Sequence, residues 1–107
     1  LKLRFLDQAT AGAVAANRSR FAATEQGPNC AGVEYPLLAL GEVDFSLYWR
    51  TLPWDHAPGV LLLQEAGGHA ARPNGDPYRP ADQGPGLLLA PDATSWSAVR
   101  DGLLSAP

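Results

Sequence analysis

A chain of 107 residues, 46% apolar and 18% charged, holds enough apolar material for one small core and too little length for two. Its net charge of −3 offers no basic field for nucleic acid, and apolar runs of only four or five residues exclude a membrane span. Cys30 is the only cysteine, so no internal disulfide forms, which points to a reducing, cytoplasmic setting.

Residues 1–6 (LKLRFL) alternate apolar and polar side chains, as a half-buried strand does. The chain opens on Leu1 and enters structured-looking sequence at once, which reads as a piece of something longer. Asp7 starts an alanine-rich helix over residues 9–24, weakened at Gly12 and Asn17, with Val14, Phe21 and Ala22 on its apolar face. Residues 29–32 (NCAG) form a loop of small residues. Residues 34–40 read as a short helix if Pro36 lies in its first turn, and Gly41 ends it. Residues 43–49 put Val43, Phe45, Leu47 and Trp49 on one face of a strand.

The segment WDHAPGVLLLQEAGG, residues 54–68, organises the rest. Asp55 is suited to cap a helix, Pro58 to sit in its first turn, and Gly67-Gly68 to stop it. Val60, Leu61, Leu62 and Leu63 advance roughly 100° each and cover most of the circumference, so this helix expects protein on more than one side. A second copy of the chain, in a homodimer, is the expected cover for the outer side. Residues 69–72 follow as a short strand, residues 73–78 as a turn and residues 79–86 as a polar loop. Residues 86–90 are a short buried strand. A last helix, capped by Asp92 or Thr94 and running to residue 104, buries Trp96, Val99, Leu103 and Leu104. Strands alternating with helices predict an α/β domain with a mixed, largely parallel β-sheet flanked by helices.

Few residues are suited to chemistry. His56 and His69 are the only histidines, and no HxH, HExxH or CxxC pattern supplies a self-contained zinc site. Neither a P-loop nor GxGxxG is present. Asp55 has two readings: a plain helix cap, or a carboxylate at the positive end of a helix that also holds a divalent cation against a phosphorylated ligand. His56 is adjacent but points about 100° away on a helix, as a candidate acid or base or as a structural residue. Glu65 lies nearly three turns along, at the wrong end to share a metal with Asp55. One carboxylate by itself does not make a metal site.

These residues resemble a known family. Trp54-Asp55 with Ala57, Gly59, Glu65, Ala66, Gly67 and Gly68 is similar to a signature of the inositol monophosphatase family, a WD-x-A-x-G segment ending in EAGG. Ala31-Gly32 and residues 41–44 (GEVD) upstream, then Gly75, Pro77, Tyr78 and residues 87–90 downstream, follow the family's order. The resemblance implies the C-terminal lobe of a magnesium-dependent phosphatase acting on a small sugar or polyol phosphate ester. It implies Asp55 as a metal ligand for Mg2+, and Cys30 and Ala31 as substrate-side residues. A glutamate seven residues before that aspartate contacts inositol in some members, and Tyr48 stands there in this chain. The family's upstream glutamate region and its D-P-x-D-G-T signature are absent from these 107 residues. The implied chemistry, attack of metal-activated water on a phosphate ester, therefore belongs to an intact parent. The alternative is a noncatalytic structural or partner-binding module that keeps the fold.

Overall fold

The computed structural model describes residues 8–17, 31–49, 53–79 and 86–104, except for the side chains of Ala31, Pro53, Trp54 and Asp55. The expected strand over residues 1–6, the Asp7 cap and residues 18–24 of the first helix lie outside the described residues. The elements, in order, are α1 (Gln8–Asn17), α2 (Ala31–Ala39), β1 (Ser46–Tyr48), α3 (Pro53–Glu65), β2 (His69–Ala71), β3 (Leu87–Ala90) and α4 (Ala93–Leu103).

Among the described residues the sheet has three strands in the order β1-β3-β2, and both pairings are antiparallel. The expected largely parallel sheet is thus corrected. The reason is topological. Two strands joined through a helix do run parallel, and β1 and β2 do so across α3, because each is antiparallel to β3. They are not neighbours, however: β3, which comes later in the chain, lies between them. The strand–helix–strand pattern gave the relative direction of β1 and β2 but not the strand between them.

Register assigns each side chain to a face. Leu47, Leu88 and Ala71 stand in one row. With Ala90 they pack on Val14 of α1 and on Trp96, Val99 and Leu103 of α4. The alternate residues Tyr48, Leu87, Leu89 and Ala70 pack on Tyr35 and Leu38 of α2 and Val60 and Leu63 of α3. Helices cover both faces, so β3 is an unbroken apolar run with every residue buried.

The helix ends follow local rules. In α3, Gly67 has φ +89°, its N–H reaches the carbonyl of Gln64 (3.0 Å), and the Gly68 N–H reaches Leu63 (2.8 Å). These two bonds make a Schellman closure, which needs a residue at positive φ, so the double glycine of EAGG is a stop with a structural cause. Gly41 closes α2 by the same pair of bonds, to Leu38 and Leu37. Asp92 caps α4: the Ser95 N–H donates to Oδ1 at 2.7 Å and the Ser95 hydroxyl to Oδ2 at 3.1 Å.

Both prolines depart from expectation. Since α2 begins at Ala31 and α3 at Pro53, Pro36 and Pro58 each fall in a second turn. A proline there has no N–H to give to the carbonyl four residues back, residue 32 in α2 and residue 54 in α3. Gly32 is exposed, so water is available to its carbonyl. The early turns of both helices therefore carry fewer backbone bonds than their length implies.

Candidate functional site

The first turn of α3 is where the site residues were expected, and Asp55 is there as the third residue of the helix. The helix starting at Pro53 corrects its reading as the N-cap. A first-turn position still belongs to the positive end of the helix dipole. Ala31 opens α2, and Cys30 lies outside the described residues.

Behind that turn lies a buried cluster of polar and aromatic side chains. His56, only 5% exposed, holds its Nδ1 2.9 Å from the Tyr35 hydroxyl. Its ring meets Tyr48 edge-on, with centroids 4.5 Å apart. The Tyr48 hydroxyl donates to Glu34 Oε2 at 2.5 Å, and the Ser46 hydroxyl donates to Glu34 Oε1. Glu34 is itself 3% exposed, so its charge is compensated by directed donors rather than by bulk water. Burial, the strongest influence, pushes the Tyr35 hydroxyl far above the usual tyrosine range, with Tyr78 and Glu34 adding to the shift. Tyr35 therefore stays a neutral phenol.

The Tyr35 ring lies on Gly59, where an added Cβ would come within 2.4 Å of the ring. The glycine of the WD-x-A-x-G segment is thus a contact requirement between α2 and α3. Together, the Tyr35 contacts with His56 and Gly59 lay the middle of α2 against the N-terminal half of α3.

A second polar group lies at the far end of β2. Buried Arg72 donates to the Gly86 carbonyl at 2.9 Å and stands 5.0 Å above the Tyr78 ring. The Tyr78 hydroxyl is buried with no hydrogen-bond partner among the described residues. His69, half-buried, meets Trp96 edge-on at 5.0 Å, a packing role.

Glu34, Tyr35, Ser46 and Tyr48 were not singled out from the sequence as a group. The available signal was a lone glutamate in an otherwise apolar helix, opposite a strand whose polar residues are two apart. His56 is brought into the cluster as a buried, bonded residue.

The family model for the inositol monophosphatase family matches residues 7–101. The chain belongs to the inositol monophosphatase family. Among curated family relatives, the fructose-1,6-bisphosphatase/inositol-1-monophosphatase of Thermotoga maritima is 54% identical over 28 residues, 26% of this chain and 11% of that protein. The inositol-1-monophosphatase of Bacillus subtilis is 38% identical over 48 residues, 45% of this chain and 18% of that protein. The fold matches an inositol monophosphatase from Zymomonas mobilis with TM-score 0.80 at 20% identity, covering 95% of this chain and 39% of that one. It also matches inositol monophosphatase-II from Staphylococcus aureus MSSA476 with TM-score 0.61 at 26% identity, covering 70% of this chain and 28% of that one. The chain thus spans well under half the length of the inositol monophosphatases it matches.

A metal implied by the family needs several carboxylates or a phosphate partner around it. Among the described residues no group of three or more His, Cys, Asp or Glu side chains is placed to hold a metal. The described side chains therefore do not fit a self-contained magnesium site. Among those residues, too, no helix is long and apolar enough to cross a membrane.

Proposed function

We propose that this chain is the C-terminal, substrate-side lobe of a magnesium-dependent phosphatase that hydrolyses a small sugar or polyol phosphate ester. Asp55 supplies one carboxylate toward the Mg2+, and Cys30 and Ala31 face the substrate. The observation that carries this reading is the family match over residues 7–101, within which the WD-to-EAGG segment folds as α3 with Asp55 in its first turn. The remaining ligands come from protein outside these 107 residues. Tyr48, buried and bonded to Glu34, stands where some family members carry an inositol-contacting glutamate, which weighs against inositol phosphate itself as the substrate. The setting is the cytoplasm.

The test is phosphate release in Mg2+ from inositol 1-phosphate, fructose 1,6-bisphosphate and an adenosine bisphosphate. The intact parent should turn over at least one of the latter two, and Asp55→Asn should abolish that turnover. The 107-residue chain alone should stay at background. An Asp55→Asn parent with undiminished activity would sink the assignment.

The second reading is a noncatalytic structural or partner-binding module that keeps the fold. An intact parent with no turnover on any of the esters would establish it.

Self-association as a homodimer belongs to the same proposal. Leu61 is 59% and Leu62 46% exposed on α3, while Val60 and Leu63 are buried beneath them. Sedimentation at micromolar concentration should show a monomer–dimer equilibrium that Leu61→Glu/Leu62→Glu shifts to monomer. A clean monomer at every concentration removes the dimer from the proposal.

A further inference from the structure

The first turn of α3 is weakly held by its own backbone. Pro58 gives no N–H to the carbonyl of residue 54, which leaves the N–H groups of Ala57 and Gly59 as the helical donors to residues 53 and 55. Contacts from outside the helix reinforce the turn, and the buried cluster provides them. Tyr35 of α2 contacts this part of α3 twice: its hydroxyl is bonded to His56, and its ring lies on Gly59. Tyr48 of β1 stacks beside Tyr35, meets the His56 ring edge-on and is itself fixed by Glu34. Ser46 holds the second oxygen of the same carboxylate. His56 is the residue immediately after Asp55.

We propose that Tyr35, Tyr48 and Glu34 are positioning residues that act through His56 to fix the first turn of α3, and with it the backbone from which Asp55 projects. This rests on the reading of Asp55 as the functional carboxylate. The cluster is a clamp between three elements. Glu34 anchors β1 to α2, Tyr35 anchors α2 to α3, and the edge contact of Tyr48 with His56 closes the loop between β1 and α3. A buried polar network of this kind specifies one geometry, because any other arrangement leaves a carboxylate or an imidazole nitrogen without its partner.

The experiment is amide hydrogen exchange, residue by residue, on the 107-residue chain and its Tyr35→Phe variant. Phenylalanine keeps the ring on Gly59 and removes only the hydroxyl. The proposal expects exchange at Ala57 and Gly59 to rise roughly tenfold, while Val99 and Leu103 on α4 stay within about twofold. A rise shared equally by α3 and α4, or no rise at α3, overturns it, because either result makes the hydroxyl an ordinary stability contact or no contact of consequence. Tyr48→Phe is the second variant, should Tyr35→Phe fold poorly; its loss of overall stability is read at Val99 and Leu103, and a rise at Ala57 and Gly59 larger than theirs supports the proposal, whereas an equal or smaller rise overturns it. Asp55→Ala forms a separate arm that reads the role of Asp55 alone. Read as phosphate release in the intact parent, lost turnover at an unchanged exchange pattern supports a carboxylate kept for function, whereas retained turnover overturns the functional reading, independently of the tyrosines.

Discussion

Leu88 and Leu89 are adjacent in β3, both fully buried, and they face regions of different chemistry. Leu88 looks toward α1 and α4, where the polar side chains that tie the layers together donate to backbone carbonyls. Asn17 Nδ2 reaches the Leu103 carbonyl at 3.0 Å, and Trp96 Nε1 reaches the Leu88 carbonyl at 2.7 Å. Leu89 looks toward α2 and α3, where Ser46 and Tyr48 bond to the buried Glu34 carboxylate, Tyr35 bonds to His56, and ring contacts join the two groups. The first face is a packing solution that only has to exclude water and satisfy single donors. The second places a charge and a ring network under the first turn of α3, at a desolvation cost that packing alone does not require. A small domain carries such a network where a geometry has to be specified as well as stabilised.

The largest test of this contrast is a pair of truncations. Leu88→Ala and Leu89→Ala each remove a fully buried leucine and should each cost about 2–5 kcal/mol in urea unfolding. The faces separate in what else changes: Leu89→Ala should shift the NMR signals of Tyr35 and His56, and Leu88→Ala should leave them in place. Equal perturbation of His56 by both would mean that the two faces behave as one core.

Next in size is the hydrogen bond to the buried carboxylate. Tyr48→Phe takes one donor from Glu34 and should cost about 1.5–3 kcal/mol, the range for bonds to charged groups. A loss near zero would show that Glu34 is satisfied without Tyr48.

Glycines give a sign reversal between the faces. Gly12 in α1 is exposed, and a Cβ there meets open space, so Gly12→Ala should stabilise by about 0.5–1 kcal/mol through helix propensity. Gly59 in α3 is also helical, but its added Cβ collides with the Tyr35 ring. Overpacking of about 1–3 kcal/mol exceeds the propensity gain, so Gly59→Ala should destabilise. Melting temperatures of the two variants decide the matter by sign alone.

The smallest effect belongs to the cap of α4. The Ser95 backbone N–H, then its hydroxyl, hold the Asp92 carboxyl below the usual carboxylate range. A depressed folded value means that this stabilisation is present above the unfolded value of about 3.9 and is lost as pH falls through the folded one. Asp92→Asn keeps a good cap that does not titrate. The variant should therefore lose less stability between pH 5 and pH 2 than the parent chain, read as melting temperature against pH.

Much of the fold could be read from local residues. The double glycine after Glu65, Gly41 after α2, and Asp92 before α4 act through bonds that span at most five residues, so the sequence announces them. The apolar face of α4 and the runs forming β2 and β3 were legible for the same reason. The prolines misled because a proline tolerated in a first turn is also tolerated in a second turn whose orphaned carbonyl has water or a neighbour. Pro36 and Pro58 both take that option. Asp55 was legible as a residue at the start of α3, though as its cap rather than as its third residue. The cluster behind it was not, since Glu34, Tyr48 and His56 are separated by loops whose path no local pattern fixes.

The sequence by itself determined the presence of α2, α3 and α4, the stops at Gly41 and Gly67, the buried runs of β2 and β3 and, through the WD-to-EAGG segment, the inositol monophosphatase family, because each depends on neighbours within a turn or two. Only the tertiary structure decided that β3 lies between β1 and β2, that Gly59 is needed for a tyrosine from another helix, and that His56 is bonded rather than free. Those outcomes depend on contacts between residues distant in the chain, and packing selects such contacts only when the whole core closes.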